Sequence, residues 1–430
     1  MQRRIIFPYL KSYLNVLHFM KSLSPILPRR FYPFQSLIIA FLIAAFIQSC
    51  NWVDHPPATR KYLVSSSVIG EATKEQLALR YDALKLPTTI PSQALVLYDI
   101  KVYKLVYKTK NPAGQEIQAS GAIIVPKTST SIPLISQQHG TILSDADAPS
   151  NYAPSSEAFS FASIFASNGF IITCPDYIGY GVSGSMNNPF LHTYEHREGL
   201  AQASLDMIRA AKEFIEEDKS ILWDTRLYLT GYSEGGFATM SLYKKIQDSF
   251  SNEFNLRAVS AGAGAYDKTS FMKTLLTTTT HKIGNYNRTY LWVLLTYDRL
   301  YGLNRPLSDY FVEPYLSDIK QNGLLANLNF SFDEILTPQF KQGIIDGSDK
   351  AFLNAVADNN VYDWKPLKPL QMYHGTADPQ VFYLNSDNAD KAMKAQGSTV
   401  EQLIPIPGGD HQTSLPYYIL GTYNFFKTTP

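Results

Sequence analysis

Ser233 is the residue whose surroundings most clearly point to chemistry, because it lies in the segment GYSEG, a G-x-S-x-G pattern. A β-rich run, RLYLT, precedes the segment and a helix-like run follows it. On such a turn a serine projects its hydroxyl beyond the end of a sheet, where it can attack a substrate. Gly231 and Gly235 are expected because a side chain at either position would collide with the neighbouring strand and helix. The pattern predicts a nucleophile; the alternative is a glycine-rich turn with an uninvolved serine.

A serine hydroxyl needs a base to accept its proton, so a histidine must lie near Ser233. His411 follows the last predicted strand, in PGGDH, and is the candidate base; the alternative is an ordinary loop histidine. His192 and His196 are four residues apart and could share a helix face as metal ligands. No HExxH pattern or third ligand accompanies them, which favours a surface or capping role and predicts no metal site. His139 is expected to brace its own loop.

The base in turn needs a carboxylate that orients it and stabilises its charged form. Asp378 lies in HGTADP, directly after a predicted strand, and is the preferred candidate. Asp410 is the competitor, but a residue adjacent to His411 rarely points its carboxylate back at the ring. Along the chain the candidates follow the order nucleophile, carboxylate, base: Ser233, Asp378, His411. Enzymes of one α/β fold have their three catalytic residues in this order.

Charge that develops on a substrate oxygen needs two backbone donors. The amide of Glu234, at the start of the predicted helix, is one candidate. The loop QHGT after an earlier strand offers the amide of Thr141 or Gly140 as the second. Tyr177 and Tyr180 follow another strand and could line the cleft, although a structural turn is the favoured interpretation.

These residues must be positioned by alternating strands and helices. The runs 100–109 and 117–125 flank the turn at 111–114 and predict a hairpin. Short apolar runs typical of buried strands, and an amphipathic helix at 198–217, follow at intervals typical of βαβ units. The fold class is therefore α/β, with a mostly parallel sheet and helices on both faces. The predicted organisation is a leader at 1–49, a tether and lead-in segment at 50–95, core parts at 96–265 and 364–430, and an inserted helical cap at 266–363.

With these residues identified, the chain from about residue 95 to 430 resembles the α/β-hydrolase superfamily, most closely its secretory lipase and esterase branch with a helical cap. The resemblance implies a cofactor-free carboxylic ester hydrolase that works through an acyl-enzyme on Ser233. His411 would act as base and then acid, and Asp378 would orient it. The expected substrate is a small-molecule, lipid or aryl ester. Glu234 departs from the Gln, Met or Gly common after the serine and is expected to make the pocket mouth more polar.

Alternative functions remain open. A peptidase of the prolyl-oligopeptidase type uses the same three side chains but needs a large β-domain, which the segment between Cys50 and the first predicted strand is too short to supply. An acyltransferase on the same fold is a further alternative, as is a lipoprotein that only binds a ligand. Haloalkane or epoxide chemistry would require an aspartate at position 233, and the serine found there argues against it.

Aromatic and aliphatic residues of the predicted cap could form an apolar roof over the serine or pack against the sheet: Tyr286, Tyr290, Leu291, Trp292 and Leu295.

The first fifty residues predict export. The apolar run at 36–47 is too short to span a bilayer as a helix and follows Arg29 and Arg30, as in a signal peptide. Ile-Gln-Ser-Cys at 47–50 resembles a bacterial lipobox, in which Cys50 would be lipidated and hold the protein at a membrane of the cell envelope. An ordinary signal peptide or a retained anchor are the alternatives, and Met20 is a possible start.

The composition sets broader limits. Lys and Arg number 38 against 37 Asp and Glu, so the net charge of +1 does not favour nucleic acid as a partner. At 45% hydrophobic and 17% charged residues, the 430-residue chain can bury a large core. Two cysteines, Cys50 and Cys174, exclude a disulfide-rich scaffold.

Overall fold

A single sheet organises the protein. The computed structural model describes residues 60–184 and 191–430, so the predicted leader and Cys50 lie outside the described residues. Within these ranges the sheet has nine strands in the spatial order β1-β2-β3-β5-β4-β6-β7-β8-β9. The strands are β1 (Leu63–Ala72), β2 (Ile100–Lys110), β3 (Glu116–Pro126), β4 (Ile132–Gln138), β5 (Ile171–Pro175), β6 (Trp223–Tyr232), β7 (Asn255–Gly262), β8 (Leu370–Gly375) and β9 (Glu401–Ile406).

Six neighbouring strands, β5, β4, β6, β7, β8 and β9, pair in parallel. The first three strands pair antiparallel on one side of them. The hairpin of β2 and β3 closes through a turn in which the Gly114 N–H donates to the Asn111 carbonyl over 2.8 Å. The prediction of a mostly parallel sheet is confirmed. Parallel strands end at the same edge of a sheet, and the loops that follow β4, β6, β8 and β9 therefore meet there.

Helices connect the strands. In the described ranges they are α1 (Lys74–Ala83), α2 (Ser92–Leu95), α3 (Ser163–Ser167), α4 (Arg197–Glu217), α5 (Glu234–Ser249), α6 (Lys268–Thr277), α7 (Gly284–Leu300), α8 (Leu307–Tyr310), α9 (Tyr315–Asn322), α10 (Pro338–Ile345), α11 (Lys350–Asp358), α12 (Leu384–Ala395) and α13 (Leu415–Thr428). No helix among them is both long and apolar enough to cross a membrane.

Two hydrophobic cores lie on the two faces of the sheet. Successive strand residues point to opposite faces, so Leu134 of β4 belongs to one core and Ile135 to the other. The first core packs under α4 and α5, whose apolar residues include Leu205 and Phe237. The second packs under α3 and α13. Because both faces are covered, the central strands read as continuous apolar runs, and β4 and β5 are buried along their whole length.

A third hydrophobic core belongs to the chain between β7 and β8. This insertion consists of the helices α6 to α11 with short 3₁₀ turns, and its only β contact within the described residues is a single bridge between Phe311 and Leu336. Its core is drawn mainly from its own helices, with a few side chains such as Tyr194 and Val381 from flanking loops. The predicted absence of strands in this part agrees with the structure.

The segment before Ile100 is more structured than the sequence indicates. It contributes the edge strand β1 and the helix α1, whereas the sequence analysis predicts neither. Five of the ten β1 residues are serine, glycine or glutamate, because one edge of this strand faces solvent. The strand is held mainly by backbone pairing to β2. The α1 helix begins at a capping box formed by Thr73 and Gln76.

Candidate active site

Ser233 lies on a sharp turn between β6 and α5. Its backbone has φ +61° and ψ −125°, a conformation that non-glycine residues rarely adopt and that tertiary contacts must hold. The Ser233 N–H donates to the Gly262 carbonyl over 2.9 Å. A Cβ on Gly231 would lie 2.6 Å from the Gln138 carbonyl oxygen, and one on Gly235 would lie 2.8 Å from that of His139. Both glycines are therefore required by close main-chain neighbours, for the reason expected from the sequence.

His411 lies in the loop after β9 and faces Ser233. Its Nε2 is 2.8 Å from Ser233 Oγ, and its Nδ1 is 2.6 Å from Asp378 Oδ2. The Tyr232 hydroxyl donates to the His411 carbonyl over 2.8 Å and holds the backbone of the loop. The imidazole is 3% exposed, which shields both of its hydrogen bonds from competing water. The structure thus brings together three side chains that are far apart in the sequence.

Asp378 follows β8 and is held in place from its other side. Its Oδ1 accepts the backbone N–H groups of Gln380 and Val381 over 2.8 and 2.9 Å. Burial alone would raise the pKa of Asp378, but hydrogen bonding to His374 and His411 lowers this pKa well below its ordinary value. The carboxylate is therefore ionised at neutral pH.

Asp410, the competing carboxylate, does not face the imidazole. Its Oδ1 accepts the backbone N–H groups of Gln412 and Thr413 and the Thr413 hydroxyl, all within its own turn. It lies at the surface and stabilises the loop that carries His411.

The loop after β4 passes next to the serine. A Cβ on Gly140 would lie 3.8 Å from the Ser233 Cβ. The Gly140 N–H donates to Glu157 Oε1 over 3.0 Å, and Glu157 Oε2 accepts from the Gln137 amide over 2.6 Å. The Thr141 N–H has no acceptor among the described residues. Of the two amides predicted from the sequence, that of Gly140 is therefore engaged by Glu157 and that of Thr141 is unpaired among the described residues.

The aromatic residues near this loop are structural. His139 Nδ1 lies 2.7 Å from the Gly140 carbonyl oxygen, and its Nε2 lies 3.3 Å from that of Asp176. The Tyr177 hydroxyl donates to the His139 carbonyl over 3.0 Å, and the Tyr180 hydroxyl donates to the Ile142 carbonyl over 2.6 Å. Both tyrosines are buried. These contacts agree with the bracing role expected for His139 and with the structural interpretation of the tyrosines.

Glu234 differs from the expectation in the direction of its side chain. The carboxylate points into the protein, is 2% exposed, and lies with its Oε1 2.6 Å from His192 Nε2. His192 Nδ1 lies 2.8 Å from the Ile178 carbonyl oxygen. The prediction that Glu234 makes the pocket mouth polar is wrong, as is a surface position for His192. Glu234 begins α5, and its side chain turns toward the core beneath Ser233, where a buried carboxylate needs a partner.

His196 has the capping role that the sequence allows, because its Nδ1 accepts the Gly199 N–H at the start of α4. His192 and His196 share no site. In the part of the chain that the structure describes, no three His, Cys, Asp or Glu side chains are grouped so that they could hold a metal ion. Cys174 is a buried free thiol.

A small cavity lined in part by Ser233 lies between the sheet and the insertion. Its walls are mainly apolar side chains from α6, α7 and the flanking loops, among them Phe271, Leu275, Val293 and Phe332. Only Tyr290 of the five residues proposed as an apolar roof lines this cavity. Leu291 and Trp292 are buried away from this cavity, and the Trp292 ring stacks on that of Tyr194, which precedes the insertion.

Comparison with known proteins identifies the family. A model of the family described as secretory lipase matches residues 155–405, more than half of the chain. The chain belongs to the secretory lipase family. This membership identifies it as a carboxylic ester hydrolase, and the family name indicates export. Among proteins with curated descriptions, none matches the chain significantly.

Solved structures share the fold of this secretory lipase. A presumed hydrolase from Legionella pneumophila has a TM-score of 0.73 and 25% identity, with 85% of this chain and 98% of that one covered. The rice cell wall degrading esterase LipA from Xanthomonas oryzae has a TM-score of 0.69 and 21% identity, covering 85% and 96%. Candida antarctica lipase A has a TM-score of 0.58 and 16% identity, covering 86% and 82%. These structures confirm the α/β-hydrolase fold.

Proposed function

We propose that the protein hydrolyses carboxylic esters through a covalent acyl-enzyme on Ser233. The observation that carries the proposal is the continuous line from Ser233 Oγ through His411 to Asp378, with distances of 2.8 and 2.6 Å. In this arrangement His411 Nδ1–H donates to the Asp378 carboxylate. The other ring nitrogen, Nε2, is then free to accept the serine proton.

Ser233 Oγ attacks the carbonyl carbon of the ester while its proton passes to His411 Nε2. The carbonyl oxygen becomes an oxyanion and accepts hydrogen bonds from the backbone amides of Glu234 and Thr141. Glu234 is the first residue of α5, and its N–H, like the others of the first turn, has no partner within the helix. The helix N-terminus additionally favours negative charge at this point.

The tetrahedral intermediate collapses when the bond from carbon to the alcohol oxygen breaks. His411 donates its proton to that oxygen, and the alcohol leaves. A water molecule then attacks the acyl-enzyme, with its proton taken by His411, and the bond to Ser233 Oγ breaks as His411 returns the proton. Asp378 stays ionised throughout and stabilises the imidazolium, which is consistent with its lowered pKa.

We further propose that residues 266–363 act as a cap that shapes the substrate cavity, with core parts at 96–265 and 364–430. The cavity walls from α6 and α7 favour esters with an apolar acyl or aryl group.

Export followed by lipid attachment at Cys50 would place the enzyme at a membrane. Labelling of the protein with a fatty acid analogue should disappear in Cys50→Ala; unchanged labelling would contradict the anchor.

Reaction with a fluorophosphonate probe tests the proposed nucleophile. We expect covalent labelling of the wild type, no labelling of Ser233→Ala, and strongly slowed labelling of His411→Ala. The His411 variant should also lose about four or more orders of magnitude in kcat on a nitrophenyl ester. Ser249→Ala, which removes an exposed serine at the end of α5, is the matched control and should behave as wild type. A folded Ser233→Ala protein that keeps its esterase activity would contradict the proposal.

A further inference from the structure

Two charged side chains form part of the wall of the cavity that opens onto Ser233. Lys268 is the first residue of α6, and Glu195 lies in the loop before α4. The Lys268 ammonium contacts Glu195 Oε2 as an ion pair. Lys268 is 5% exposed and Glu195 is 6% exposed, and both line the same cavity as Ser233. The mechanism proposed above uses neither of them.

The surroundings of this pair are apolar. The Lys268 ammonium lies 3.9 Å from the centre of the Phe237 ring, and Phe271 and Met272 follow on the same helix and line the cavity. Among the described residues the ammonium has no hydrogen-bond partner beyond its contact with Glu195 Oε2, and the other carboxylate oxygen, Glu195 Oε1, has no partner. The pair therefore has unused donors and acceptors at the cavity wall.

The other polar groups of the wall contrast with this pair. The hydroxyls of Tyr194, Tyr290 and Tyr297 each bond within the protein, to Thr141, to the Gln380 carbonyl and to the Glu195 carbonyl. Taking two charges out of water costs several kcal/mol per ion unless further hydrogen bonds satisfy them. Burial lowers the pKa of Lys268, in keeping with this cost. An ion pair kept only for stability is expected to be better satisfied, and a ligand that completes its hydrogen bonds would offset the cost.

We propose that Lys268 and Glu195 together bind a hydroxyl group at the far end of an apolar chain of the ester substrate. This inference rests on the proposed function, because it specifies the substrate of the same site. A hydroxyl group can accept a hydrogen bond from the ammonium and donate one to the carboxylate at the same time. The apolar walls would bury the chain between the ester group at Ser233 and this hydroxyl.

Other terminal groups match the pair less well. A carboxylate would be attracted to Lys268 but repelled by Glu195. An ammonium would be attracted to Glu195 but repelled by Lys268. A methyl group would leave the charges without new partners and would bury them further. The net neutral pair thus favours a neutral group that is both donor and acceptor. The hydroxyl could belong to the acyl part or to the alcohol part of the ester, and the experiment separates these two sources.

Matched pairs of esters test the inference. One arm compares nitrophenyl alkanoates with nitrophenyl ω-hydroxyalkanoates of the same chain length, over a series of lengths. The other arm compares acetate esters of simple alcohols with acetate esters of diols. We expect that at one length in one arm kcat/KM is about tenfold higher for the hydroxylated ester, as two charge-assisted hydrogen bonds net of desolvation would give. Equal or lower kcat/KM for the hydroxylated ester at every length in both arms would overturn the proposal.

A variant that removes both charges provides the second measurement. Lys268→Met/Glu195→Leu leaves no unpaired buried charge, so it should fold, whereas either single change would strand one ion. We expect it to lose the hydroxyl preference and to gain activity on the plain alkyl esters. Lys273→Met, an exposed lysine on the same helix, is the control and should keep the preference. A preference that persists in the folded double variant would contradict the assignment.

Fluorophosphonate labelling separates the two possible failures. If Ser233 is labelled in the wild type and in the double variant but no hydroxyl preference appears, only the inference about Lys268 and Glu195 fails. If Ser233→Ala keeps wild-type activity on all esters, the proposed function fails as well. Equal thermal unfolding temperatures of the double variant and the Lys273→Met control would exclude a loss of folding as the cause of a changed preference.

Discussion

Glu234 combines two features at one position, since its backbone N–H is a proposed oxyanion donor and its carboxylate is buried in the core. The carboxylate pairs with His192, which is itself held by the Ile178 carbonyl. This buried chain of hydrogen bonds fixes the first peptide of α5. We therefore regard Glu234 and His192 as positioning residues for the proposed oxyanion donor.

Substitution of the Glu234 side chain should accordingly affect the rate more than binding. In Glu234→Leu the amide loses its anchor and His192 Nε2 loses its partner. We expect kcat to fall about tenfold or more with little change in KM, because a misplaced oxyanion donor acts on the transition state. Glu234→Gln retains a hydrogen bond to His192 and should recover most of this loss. Steady-state kinetics on one nitrophenyl ester provide the measurement. A larger effect on KM than on kcat in Glu234→Leu would argue against positioning.

The sequence predicts the line of Ser233, Asp378 and His411 because each residue stands in a local pattern directly after a strand. It does not predict the Glu234–His192 pair. The two residues are 42 positions apart in the chain, and their contact depends on the loop that packs beneath α5. A useful signal was nevertheless present: a carboxylate directly after the serine begins a helix whose first turn is buried, and a buried carboxylate needs a partner.

At the scale of elements, the turn between β6 and α5 depends on its close approach to β4. Gly235 sits where a Cβ would meet the main-chain oxygens of Gln138 and His139, which cannot move without shifting the strand end. The tight fit places the start of α5 beside the loop that carries Thr141. The turn and that loop therefore support each other.

Gly235→Ala should be destabilising and should also reduce activity. We expect the free energy of unfolding to fall by about 2 kcal/mol, as for overpacked sites, although alanine favours the helix. Gly343→Ala in α10 is the comparison, because its Cβ would first meet the Asp349 side-chain Cβ at 3.1 Å and not a main-chain atom. Urea unfolding of both variants measures the difference. Equal stability of the two variants would contradict the prediction, because it would show that the end of β4 shifts at little cost to make room for the added Cβ.

The predictability of the strands follows their burial. The sequence predicts the strands β4 to β9, because most of them are covered on both faces and form short apolar runs, and turn residues bound the others. The edge strand β1 was missed because its sequence, LVSSSVIGEA, carries polar residues and is held by backbone pairing. The positions of the active-site loops can be predicted from the ends of the strands. The residues that line the cavity cannot, because they depend on which face of α7 is turned toward Ser233.

At the scale of the whole molecule, stability should depend on pH through a partly buried carboxyl group near the active site, that of Glu157. Burial raises the pKa of Glu157 to about 7, although hydrogen bonds from Gly140 and Gln137 oppose this shift. The folded protein thus holds a proton that the unfolded chain releases near its ordinary pKa of 4.5. The stabilisation associated with this proton is complete below that value and is lost as pH rises toward about 7.

A Glu157→Gln variant isolates this contribution. We expect its free energy of unfolding to decline less than that of the wild type across this pH range, by about 3 kcal/mol for the full shift. Other titrating groups are common to both proteins, so the difference between their urea unfolding curves, measured on either side of the range, reports Glu157. Parallel pH profiles of the two proteins would contradict the prediction.

The insertion between β7 and β8 also has a consequence for the order in which the enzyme becomes reactive during its synthesis. Ser233 precedes the insertion, whereas Asp378 and His411 follow it. A nascent chain that has emerged only as far as β7 already displays the serine, but it has neither base nor acid to activate that serine. On the proposed mechanism, chemical competence is therefore withheld until the last two strands have joined the sheet.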